Sequence, residues 1–83
     1  MTAQENEFLS RIVVDPDILV GKPVIRGTRI PVSLILNLLG NGYDFARIRT
    51  AYPDLSDVDI RAALRYSEAR MNREHLLPFD AVV

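Results

Sequence analysis

Residues 21–32 read GKPVIRGTRIPV, and no regular α-helix can run through them. Pro23 and Pro31 each remove a backbone donor and fix φ, while Gly21 and Gly27 supply points where the chain can turn. Between these breaks stand Val24, Ile25 and Ile30, side chains suited to a pleated surface. VIRGTRI therefore reads as a hairpin or a bulged strand bent at Gly27. RIVV at 11–14 is β-branched and fits another short strand. Asp15-Pro16-Asp17 and Gly21-Lys22-Pro23 are turn signals between the two. A small β element over 11–30 is the expectation, with a loose N-terminus over 1–10.

Past Pro31 the pattern changes period. Proline suits the first turn of a helix, where its missing N–H would have no partner anyway. PVSLILNLLG then carries Val32, Leu34, Ile35, Leu36, Leu38 and Leu39, a nearly all-round apolar helix that reads as buried over about 31–41, with Gly40 and Gly42 as its stop. Asp44 is a good N-cap for a second helix over 44–52, whose inner face is Phe45, Ile48 and Tyr52. Pro53 ends it. Ser56 caps a third helix over 56–75, with Asp59 at the capping-box position. Ile60, Ala63, Leu64 and Met71 are expected on its buried side. The residues 76–83, LLPFDAVV, form an apolar, proline-broken tail.

Eighty-three residues make one domain, spanning 11–75, with a modest core. Two short helices joined by a turn after a packing helix give a helix-turn-helix outline, mainly α behind a short N-terminal β hairpin. The absence of cysteine excludes disulfides, thiol nucleophiles and thiolate metal sites, and fits a reducing cytoplasm. The polar N-terminus is no signal peptide, and no apolar run approaches membrane-spanning length.

The formal charge is −1, so the chain as a whole is not a basic nucleic-acid binder. The charge is uneven, however. Residues 22–49 hold Lys22, Arg26, Arg29, Arg47 and Arg49 against Asp44, whereas acids outnumber bases on both sides of this segment. Arg26 and Arg29 flank Gly27, and either straddle a phosphate or carboxylate or pair with Asp15 and Asp17. Thr28 offers a hydroxyl at the same place. The start of the third helix, SDVDIR, presents acids where a recognition helix would meet phosphates. Asp57 and Arg61 read as an i, i+4 stabilising pair.

No catalytic constellation can be assembled. The single histidine, His75, stands near the end of the third helix, where the dipole favours it. The glycines lack phosphate-loop spacing. No cofactor and no metal site are expected, and an enzyme is not.

From 12 to about 70 the chain resembles the domain-of-unknown-function family numbered 433. The matching elements are Asp15-Pro16, GKPVIRGTRIPV, NGYDFARI, AYPDLSDVDIRAAL and Tyr66. One departure is Val20, where the family often has a second glycine before Gly21. The resemblance implies a homeodomain-like helix-turn-helix fold with an N-terminal β element. It also implies the antitoxin of a type II toxin–antitoxin pair, similar to VapB-type antitoxins. Its partner would be a PIN-like ribonuclease toxin encoded by the adjacent gene. Such an antitoxin blocks its toxin and represses the shared operon.

Three surfaces follow as expectations. Operator DNA would meet Lys22, Arg26, Thr28, Arg29, Arg47 and Arg49. The toxin would hold the tail through Leu76, Leu77, Phe79, Val82 and Val83. A homodimer would form along the β element, through Ile12, Val13, Val14, Val24 and Ile25. A stand-alone DNA-binding transcriptional regulator is the alternative, and an adaptor with a further partner is a third reading.

Overall fold

The structure, a computed structural model, describes residues 8–73. Two short strands, β1 (Ile12–Val13) and β2 (Val24–Ile25), precede three helices: α1 (Val32–Gly40), α2 (Phe45–Ala51) and α3 (Asp57–Arg73). The fold is thus mainly α behind an N-terminal hairpin, with three helices in the order expected from the sequence. His75 and the tail lie outside the described residues.

The strands are antiparallel, with Ile12 opposite Ile25 and Val13 opposite Val24. Beyond β2 the chain turns at Gly27, whose φ is +80°, and Thr28 N–H closes the turn by donating to Ile25 O at 3.0 Å. Returning, the chain bridges Val24 to Pro31, so β2 is central, with β1 on one side and residues 30–31 on the other. Between the strands, Asp15 accepts from Asp17 N–H at 2.9 Å, and Ile18 N–H reaches Asp15 O at 2.9 Å. Leu19, Val20 and Gly21 then all take positive φ, at 49°, 58° and 79°. A valine there is strained, because its branched Cβ crowds the backbone in the left-handed region.

Each helix is closed by side chains or backbone in the way its sequence implies. Past α1, Gly42 N–H donates to Leu39 O and Tyr43 N–H to Leu38 O, each at 3.0 Å. That pair of bonds, with Gly42 at φ +94°, is a Schellman motif, so Gly42 rather than Gly40 stops the helix. Asp44 Oδ1 accepts from Arg47 N–H at 2.8 Å and caps α2. At α3 the capping box is reciprocal. Ser56 N–H donates to Asp59 Oδ2 at 3.0 Å, and Asp59 N–H donates to Ser56 Oγ at 3.2 Å.

The core is built from Ile25, Val32, Ile35, Ile48, Leu55, Ile60 and Ala63, with Phe45, Tyr52 and Tyr66 packed against it. Two expectations about the helices need correction. Leu64 and Met71 do not line the buried side of α3; they are 39% and 68% exposed. The buried stripe runs instead through Asp59, Ile60, Ala62 and Ala63, and small alanines there let α3 lie close to α1. Nor is α1 buried all round. Val32 and Ile35 are covered, whereas Leu36 is exposed, because a small domain has too few elements to wrap a helix.

Candidate functional site

The uncovered side of α1 forms one wall of a groove. The opposite wall is the C-terminal half of α3, and the groove has a volume of about 470 Å³. Pro23, Val32, Leu36, Tyr66 and Met71 supply its apolar lining. Lys22 and Arg70, both exposed, border it. Its geometry follows from the sequence: a helix apolar on every side meets a longer, more polar helix along only one of its faces.

Three of the four arginines expected to meet DNA have partners within the domain. Arg49 forms an ion pair with Asp57. This overturns the expected Asp57–Arg61 pair: the approach of α2 to the start of α3 brings Arg49 to that carboxylate. Arg47 stacks on the Tyr43 ring, 3.9 Å from its centroid. Arg26 Nε donates to Ser10 O at 2.7 Å, so Arg26 does not pair with Asp15 or Asp17. Thr28 Oγ donates to Ile25 O at 2.8 Å and accepts from Ile30 N–H at 3.0 Å, which makes it a turn residue rather than a ligand contact. Lys22 and Arg29 are exposed. On α3, Arg65 pairs with Glu68 at 2.9 Å. Of the residues expected to meet DNA, Arg26, Thr28, Arg47 and Arg49 thus each have a partner within the domain.

The expected dimer residues also divide. Val24 and Ile25 are each 1% exposed and belong to this domain's own core, so their side chains cannot form an outer surface. Ile12 and Val13 are half-buried, and Val14 is exposed. Among the described residues, no strand covers the outer edge of β1. The tail residues Leu76, Leu77, Phe79, Val82 and Val83 lie outside the described residues.

A second, polar cavity of about 390 Å³ is lined by Ser10, Arg11, Arg26 and Asp59. Arg11 Nη1 donates to Asp59 Oδ1 at 2.9 Å, linking the first strand's start to the last helix. Sequence reading missed this pair, because nothing local marks two residues 48 positions apart as neighbours. Among the described residues there is no group of three or more His, Cys, Asp or Glu placed to hold a metal ion. Nor is any helix among them long and apolar enough to cross a membrane.

Hairpin, capped helices and groove define a small three-helix domain carried on an N-terminal β element. The chain belongs to the family described as "Protein of unknown function (DUF433)", whose model matches residues 12–67. A crystal structure of a DUF433 member protein from Anabaena variabilis superposes with a TM-score of 0.67 at 31% identity, covering 77% of this chain and 66% of that one. "Uncharacterized protein y4eO" of Sinorhizobium fredii is 41% identical over 58 residues, which are 70% of this chain and 26% of that protein. An "Uncharacterized protein" of Archaeoglobus fulgidus is 67% identical over 25 residues, 30% of this chain and 69% of the relative. The matched region thus spans about a quarter of the length of the rhizobial relative.

Proposed function

We propose that this chain is the binding member of a type II toxin–antitoxin pair, holding a PIN-like ribonuclease through the apolar groove between α1 and α3. The observation that carries the reading is the surplus of apolar surface on α1. Leu36 and Met71, both exposed, line the same groove, whose surface is mostly apolar, and such patches on small domains mark contacts with other proteins. The charged side chains support a protein partner over a polyanion. Arg49, Arg65 and Arg11 each already face a carboxylate of the same domain, which lowers the charge those three could offer to phosphates. The apolar tail, Leu76 to Val83, would extend the same grip. A second copy is expected along the outer edge of β1, beside exposed Val14.

The test is co-expression with the adjacent gene product, a tag on that partner only, and size-exclusion chromatography of what it retains. Co-elution, with growth arrest when the partner is expressed alone, is the expected result. Leu36→Asp and Met71→Asp should each weaken the complex while the domain stays folded, because both side chains are already exposed. A harmless neighbour that does not co-elute would sink this reading. Operator binding that falls steeply with salt would then put the transcriptional regulator in its place.

A further inference from the structure

We propose that Arg11 and Arg26 form a binding site for a single carboxylate group. The site is separate from the apolar groove and does not depend on it.

The first observation is the register. Ile12 lies opposite Ile25, which sets Arg11 directly opposite Arg26, and Arg26 N–H donates to Arg11 O at 2.7 Å. Cross-strand neighbours have Cβ atoms roughly 4.5–5.5 Å apart, and like charges placed there destabilise a hairpin. Two arginines in this position repel each other, and among the described residues the Asp59 carboxylate pairs with Arg11 alone.

The second observation is how each guanidinium is held. Arg11 Nη1 is fixed by Asp59, a carboxylate that is itself 7% exposed and locked by the Ser56 capping box. Arg26 Nε is fixed by the Ser10 carbonyl. Each contact engages one N–H of a five-donor group, and neither arginine has a further side-chain partner among the described residues. Both side chains line the same open cavity of about 390 Å³. Among the described residues, two guanidiniums against one aspartate leave this lining with one net positive charge, which matches one carboxylate rather than a run of phosphates. The planar fork of arginine suits the two oxygens of a carboxylate, in bonds about twice as strong as neutral ones.

The experiment is a titration of the full chain, labelled with nitrogen-15, following the Nε–H signals of Arg11 and Arg26. Sodium acetate is the probe, with sodium chloride at equal ionic strength and sodium phosphate as the two comparisons. The expected result is a saturable acetate shift of both signals that chloride does not reproduce. Arg26→Gln should weaken acetate binding at least about tenfold, while Arg29→Gln, on the exposed turn, leaves it unchanged. Arg26→Lys keeps a charge but not the fork and should also lose most of the binding; it decides the matter should Arg26→Gln disturb the amide spectrum. Equal shifts with acetate and chloride would overturn the proposal, as would unchanged acetate affinity in the folded Arg26 variants. Saturable binding of phosphate without binding of acetate would overturn it in favour of a phosphate-bearing ligand.

Discussion

Replacing Val20 with glycine should stabilise this domain. Val20 has φ +58° and is 93% exposed, so its side chain makes almost no contact that the change could remove. Holding an L-residue in the left-handed region costs about 1–2 kcal/mol, with branched side chains at the upper end. Glycine removes that strain but gives the unfolded chain extra freedom, which costs about 0.5–1 kcal/mol. The difference favours glycine by about 0.5–1 kcal/mol. For a domain of this size that corresponds to a rise in Tm of about 2–8 °C. Circular-dichroism melts and urea titrations of both proteins would measure it, with an unchanged urea slope expected, since the surface exposed on unfolding stays the same. Val20→Ala is the control: it keeps a Cβ in the same backbone region and should recover only a fraction of the gain. A Val20→Gly protein melting at or below the parent temperature would refute the reasoning. It would show either that residue 20 is not left-handed or that its side chain is held by something else.

Asp59→Ala should cost about 2–3 kcal/mol by urea denaturation, since it removes both the acceptor for Ser56 N–H in the capping box and the partner of Arg11. A double-mutant cycle of Arg11→Ala with Asp59→Ala should show a coupling of about 1 kcal/mol, reduced by the 39% exposure of the arginine side chain. Ile35→Ala opens a cavity at a site that is 0% exposed and should cost about 2–5 kcal/mol, a large share of the stability of a domain this small. Gly27→Ala should cost about 1 kcal/mol through backbone strain alone, because φ is +80° and nothing lies within 4 Å of the added Cβ. A loss well above that in the same urea assay would mean the turn has a packing role.

Most of the fold was legible wherever a local rule decides the outcome. Pro31, Asp44 and Ser56 begin helices because each satisfies or dispenses with donors that a helix start leaves open. Gly27 turns the hairpin because only a residue without Cβ takes that φ easily. Where two local signals competed, tertiary packing chose. Gly40 and Gly42 both offered a stop, and the bond from Tyr43 back to Leu38 selected Gly42. Leu64 and Met71 looked like core because they are apolar, but α3 turns its Asp59, Ile60, Ala62 and Ala63 stripe inward and leaves them exposed. The candidate sites were the least legible. Arg26 was visible as a charge near a glycine, yet its cross-strand neighbour, Arg11, depends on a register that the intervening turns impose. The groove exists because of what the domain fails to cover, and no spacing rule announces that.

The bond between Arg11 and Asp59 has a consequence for how this chain folds as it is made. A ribosome adds about 5–20 residues per second, so the 48 positions between the two take about 2–10 seconds to appear. Until α3 is out of the exit tunnel, the hairpin has no wall to lean on, and Ile25 and Ile35 stand open to water. The nascent chain therefore carries its most apolar segment, residues 32–40, for seconds before α3 is there to pack on it.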